Sequence, residues 1–73
     1  MKAYIYSNDT AEMQLFSGET TGTSGGKFTV TPSTSVSGMT RGAKYKYSLG
    51  APNVNIATAT LTSIDGSTYT FTV

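Results

Sequence analysis

Residues 57–73, ATATLTSIDGSTYTFTV, carry two runs of alternating threonine and apolar residues on either side of Asp65-Gly66. Alternation with a period of two marks a strand with one buried and one wet face. An Asp-Gly pair between two such runs marks a hairpin. Its predicted arms are Val54–Thr62 and Ser67–Val73. A two-residue loop at Asp65-Gly66 would set Leu61 opposite Thr70 and mix the faces. A three-residue loop, Ile64-Asp65-Gly66 with Gly66 left-handed, sets Leu61, Ala59 and Ala57 opposite Tyr69, Phe71 and Val73. It also aligns Thr62, Thr60 and Thr58 with Thr68, Thr70 and Thr72. Face matching therefore predicts the three-residue loop.

The same alternation extends outward from the hairpin. Lys44–Leu49 places Tyr45, Tyr47 and Leu49 on one face, and Lys27–Thr31, stopped by Pro32, does so for Phe28 and Val30. Lys2–Ser7 separates Tyr4 and Tyr6 from Ala3 and Ile5. Ala11–Phe16 reads as a short strand, with a single helical turn as the alternative because Asp9 and Glu12 have capping-box spacing. Asn8-Asp9-Thr10, Arg41-Gly42 and Gly50-Ala51-Pro52-Asn53 read as turns, and Val36 and Met39 as anchors of the weaker stretch Ser33–Met39. Residues 17–26, SGETTGTSGG, hold four glycines in ten residues and read as a flexible loop. The expected fold is one all-β domain over residues 1–73, a small barrel or sandwich of about six strands. Its predicted core is Phe28, Val30, Tyr45, Tyr47, Leu61, Tyr69 and Phe71.

Composition narrows the function. Only 12% of residues are charged, against about 25% in ordinary soluble domains, and the net charge is +1. Fourteen threonines and nine serines supply the polarity instead, which gives a neutral, hydrogen-bonding exterior and disfavours partners held by strong electrostatics. There is no cysteine and no histidine, so disulfides, thiolate metal sites and the commonest metal ligand are all missing from a 73-residue chain. Chains of this size have little burial to set against the entropy of ordering. Ala57–Thr62 and Thr68–Val73 carry no charge, so a sheet edge there would need cover or a partner. Both arguments lead to the expectation of a docked or multimeric form. Met1–Ser7 shows no signal-peptide pattern and no apolar run approaches a membrane span, so the chain is expected free in solution or on a particle surface.

Catalytic and ligand motifs fail on inspection. Hydroxyl nucleophiles lack a histidine base, and the four carboxylates are Asp9, Glu12, Glu19 and Asp65. Turn, cap and loop roles account for all four. Gly22–Lys27 resembles a phosphate loop, but Thr21 and Phe28 stand where that pattern needs a glycine and a hydroxyl residue. Asn8-Asp9-Thr10 fits a glycosylation acceptor only in a secreted chain. Arg41, Lys44 and Lys46 interleave with Tyr45 and Tyr47, as in single-strand binders, yet strand alternation sends lysines and tyrosines to opposite faces. No enzyme activity, cofactor or metal is expected.

Two resemblances remain. Residues 38–47, GMTRGAKYKY, resemble the loop and strand that bear the tyrosine corner in fibronectin type III and related sandwiches, which implies a sandwich. The chain is short for that seven-stranded fold and has no tryptophan for its core. In its threonine, serine and glycine content the whole chain is similar to small β-rich capsid decoration or head-surface proteins of tailed phages. That likeness implies a non-catalytic structural protein on a virion surface, with other protein subunits, its own or the capsid's, as partners. Glu19, Thr20, Thr21, Thr23, Ser24 and Lys27 are the expected contact residues, on and beside the 17–26 loop. The alternatives are a carbohydrate- or protein-binding module of a secreted or adhesive protein, and a small nucleic-acid-binding barrel.

Overall fold

The computed structural model describes residues 1–9 and 13–73 and is all-β. Six strands follow one another: β1 (Lys2–Tyr6), β2 (Gln14–Glu19), β3 (Lys27–Pro32), β4 (Lys44–Leu49), β5 (Ala57–Asp65) and β6 (Thr68–Thr72). They close into an antiparallel barrel in the order β1-β2-β3-β6-β5-β4, with β4 returning to β1. The fourth strand lies beside the first after a three-strand meander, a Greek-key arrangement. The connections β1–β2, β3–β4 and β5–β6 therefore share one end of the barrel, the crossover end. The β2–β3 and β4–β5 connections and both chain ends share the other, the terminal end. Accessible surface is 4227 Å², close to the roughly 4,300 Å² expected for a folded chain of this mass.

The interior is built from the alternating faces. Ala3, Ile5, Phe16, Phe28, Val30, Tyr47, Ala59, Leu61, Tyr69 and Phe71 form the core, and Val36, Met39, Tyr45, Leu49 and Ala57 pack against it. Six of the seven predicted core residues are buried, and Tyr45 is half-buried. Of the two faces of β1, the Ala3–Ile5 face turns inward. Tyr6 nevertheless becomes buried on the outside, because the loop after β4 folds over it and Asn53 donates its backbone N–H to the Tyr6 hydroxyl at 3.0 Å. Ser48, also outward, is buried by the same loop. Its hydroxyl accepts the Val54 N–H and reaches the Ala51 and Val54 carbonyls.

Several expected details are corrected. The hairpin pairs Asp65 with Thr68, so the turn is the two residues Gly66-Ser67 and not Ile64-Asp65-Gly66. Gly66 is left-handed as expected, with φ 62°. The faces stay matched because the register shifts between Leu61 and Ser63, leaving Thr62 as the extra residue and Leu61 opposite Phe71 instead of Tyr69. A glycine-first two-residue turn suits the twist of the flanking strands, and a bulge adds the bend that closing a narrow barrel requires. The first arm starts at Ala57, so residues 54–56 belong to the preceding loop. Closure also overturns the argument from exposed edges, since β5 and β6 are each paired on both sides. Residues 14–16 form a strand as expected, with Leu15 set outward where the β1–β2 register shifts. Residues 10–12, including Glu12 and the helical-turn alternative, lie outside the described residues.

The predicted loop at 17–26 shrinks at both ends. Ser17, Gly18 and Glu19 belong to β2, and Ser24 and Lys27 exchange backbone hydrogen bonds of 2.8 and 3.2 Å around left-handed Gly25 and Gly26. Gly18 is there for space: a Cβ at this position would collide with the Thr31 carbonyl on β3. The β2–β3 seam holds only the pairs Gly18↔Pro32 and Glu19↔Thr31, backed by the Ser33 N–H to the Ser17 carbonyl at 2.9 Å. Gly18→Ala should thus cost about 2–3 kcal/mol or more, read as a lower urea midpoint. Gly66→Ala meets no neighbour within 4 Å and should cost only about 1–2 kcal/mol, the left-handed penalty of a residue with a Cβ.

Candidate docking wall and groove

Inward aromatic and aliphatic residues on β3, β5 and β6 leave their threonines pointing out. Thr29 and Thr31 of β3, Thr68, Thr70 and Thr72 of β6, and Thr58 and Thr60 of β5 thus form one wall across three adjacent strands. The registers align them in transverse rows. One runs Lys27–Thr72–Thr60–Lys44 across four strands, and the next contains Thr29–Thr70–Ser63. The bulged Thr62 joins them, its hydroxyl 3.1 Å from that of Thr72 and 3.2 Å from the Thr70 carbonyl, which it meets as donor. Among the described residues, charges sit at the margins: Lys27 and Lys44 at the ends of the row, Lys46 beside Thr58, Asp65 at the crossover end, and Glu19 next to Thr31.

The expected contact residues gather at the terminal end, but they do not form one open surface. Thr20 is 7% exposed; its hydroxyl accepts the Gly22 N–H at 3.1 Å and its own N–H goes to the Met1 carbonyl at 2.9 Å, so it shapes the loop. Glu19 lies 3.5 Å from the Met1 amino nitrogen, an exposed pair of little energetic weight. Thr21, Thr23, Ser24 and Lys27 are exposed, and Lys27 belongs to the threonine row already described. The hairpin threonines were expected on one face, but neither they nor Thr29 and Thr31 were among the expected contact residues, although the TVT, TATLT and TYTFT runs signal the wall. What the sequence does not show is that their three strands are neighbours.

The basic and aromatic residues of β4 divide as alternation requires. Tyr47 is buried against Phe28, Tyr45 is half-buried with its ring edge-on to Phe71, and Lys44 and Lys46 point outward. The Tyr45 hydroxyl accepts the Thr40 N–H at 3.0 Å, five residues back. The tyrosine-corner contact implied by residues 38–47 is therefore present, on a closed barrel and not on the seven-stranded sandwich that the resemblance implied.

At the crossover end the β3–β4 connection bridges the barrel mouth, with Val36 and Met39 packed against the core. Between its first residues, Ser33–Val36, and the Gly66-Ser67 turn lies an open groove of about 380 Å³, bordered by Pro32 and Tyr69. Tyr69 stacks obliquely on Phe16 at 5.4 Å and donates its hydroxyl to the Val36 carbonyl at 3.3 Å, which ties the crossover to β6. Family models, curated proteins and solved structures contain no match to this chain. Tyr69→Phe should lose about 1 kcal/mol at most and speed amide hydrogen exchange at residues 34–39, leaving the β3–β6 ladder protected.

Proposed function

We propose that this chain is a non-catalytic docking protein that attaches through its threonine wall to a larger assembly, and that the surface of a viral particle, a phage capsid above all, is its setting. The observation that carries this reading is the wall: three adjacent strands present threonines in register, with charges at the margins. Such a surface suits contact with folded protein. Hydroxyls that find partners are buried at far less cost than ions, and threonine loses little rotamer freedom compared with lysine or glutamate. The absence of histidine and cysteine from the sequence supports the non-catalytic part, since the commonest general base and the strongest side-chain nucleophile are missing. A partner subunit is favoured over a nucleic acid because Tyr45 and Tyr47 of β4 turn their rings to the core, where they cannot stack on bases.

The test is co-pelleting with particles assembled from the products of the neighbouring genes. The wild-type chain should pellet with them. Thr60→Glu and Thr72→Glu, made separately, should remain in the supernatant, because each sets a carboxylate opposite Lys44 or Lys27 and the contact would then have to desolvate both charges. Both positions are half-buried, so each variant should lose about 1–2 kcal/mol by urea titration and still fold. A wild-type chain that sediments as a free monomer and pellets with no particle would refute the proposal.

A further inference from the structure

The groove at the crossover end has a chemistry of its own, separate from the wall. Among the described residues no charged side chain lines it, so an ionic ligand would find no counter-charge from them. Its rim carries the hydroxyls of Ser33, Thr34, Ser35 and Ser67, each able to donate and to accept. Among the described residues, Thr34 and Ser35 make no intramolecular hydrogen bond through backbone or side chain, and both are exposed. Pro32, Val36 and the largely buried Tyr69 add apolar lining beside these polar groups. We propose that this groove binds a neutral saccharide, with the serine and threonine hydroxyls meeting the sugar hydroxyls and the apolar lining meeting the C–H face of a ring.

Size and backbone geometry favour a sugar over an extended peptide. A volume of about 380 Å³ lies near the small end of the roughly 300–1,000 Å³ range of ligand sites, suited to a ligand of sugar-ring dimensions. Strand addition needs a run of free backbone groups along one edge. Here the Ser33 N–H is held by the Ser17 carbonyl and the Val36 carbonyl receives the Tyr69 hydroxyl. Only Thr34 and Ser35 are left between them, too short an edge for a ladder. Convergent hydroxyls, by contrast, need no register.

The experiment is a two-dimensional amide NMR titration of the full chain with glucose, N-acetylglucosamine and lactose, using glycerol as the polyol control. Saturable shifts confined to residues 32–36 and 66–69, with at least one sugar and not with glycerol, support the site. Thr34→Val and Ser67→Ala should each weaken that binding about fivefold, the equivalent of one neutral hydrogen bond. Thr60→Glu, on the wall, should leave the titration unchanged, so that failure of the docking reading and failure of this one are distinguishable. Absence of saturable shifts, shifts equal to those with glycerol, shifts centred elsewhere, or unchanged affinity in both groove variants would overturn the proposal.

Discussion

Phe28 lies 5.2 Å from Phe71 on the neighbouring strand and 4.7 Å from Tyr47, which reaches it from the strand directly across the barrel. Six strands enclose so little volume that a few rings fill it, and every other interior position must fit around them. Tyr45 and Tyr47 therefore pair across β4–β5 with Ala59 and Ala57, and Ala3 pairs with Gly18 across β1–β2. Small residues beside large ones let the wall curve round the aromatic centre. Ring pairs of this kind add about 0.5–1.5 kcal/mol each beyond their burial, which matters in a chain with no disulfide.

Closure around that centre has consequences on the outside. Once the inner face is taken by rings and aliphatic groups, alternation commits the threonines of β3, β5 and β6 to one outer wall. The same closure leaves the β2–β3 seam short, held where Gly18 lets the two backbones approach. Connections then do different work at the two ends. At the terminal end the loop of residues 20–26 is drawn tight by Thr20 and the Gly25-Gly26 turn, while residues 50–56 wrap over Tyr6 and Ser48. At the crossover end a long connection spans the mouth, pinned at Val36 by Tyr69 and at Thr40 by Tyr45.

Two surfaces with different properties result. The wall is broad, built on paired strands and rigid in its registers, which fits contact with another folded surface. The groove is small, uncharged and bounded by a connection and a turn, which fits a small polar ligand. Both depend on hydroxyls and not on ions, as expected of a chain whose polarity comes from threonine and serine. The two readings are compatible in one molecule, because the wall occupies the barrel side and the groove occupies one end.

Local alternation was enough to determine the all-β class, the greater part of each strand and most of the core, because a period of two assigns each residue to a face before any partner is known. It assigned Tyr45 and Tyr47 to the inside and Lys44 and Lys46 to the outside, and it anchored Val36 and Met39. Turn chemistry likewise placed a left-handed glycine at Gly66. Tertiary structure decided what depends on more than one segment. The bulge at Thr62 set the hairpin register, since curvature for closure is a property of the whole barrel. Ser17–Glu19 became strand because β1 and β3 lie on either side of it, and local composition contains no trace of those neighbours. Tyr6 was buried by a loop more than forty residues away in sequence. The threonine wall exists only because β3, β6 and β5 are adjacent, and the groove only because the crossover passes beside the β5–β6 turn: alternation orients a side chain, but adjacency between strands comes from the closed sheet.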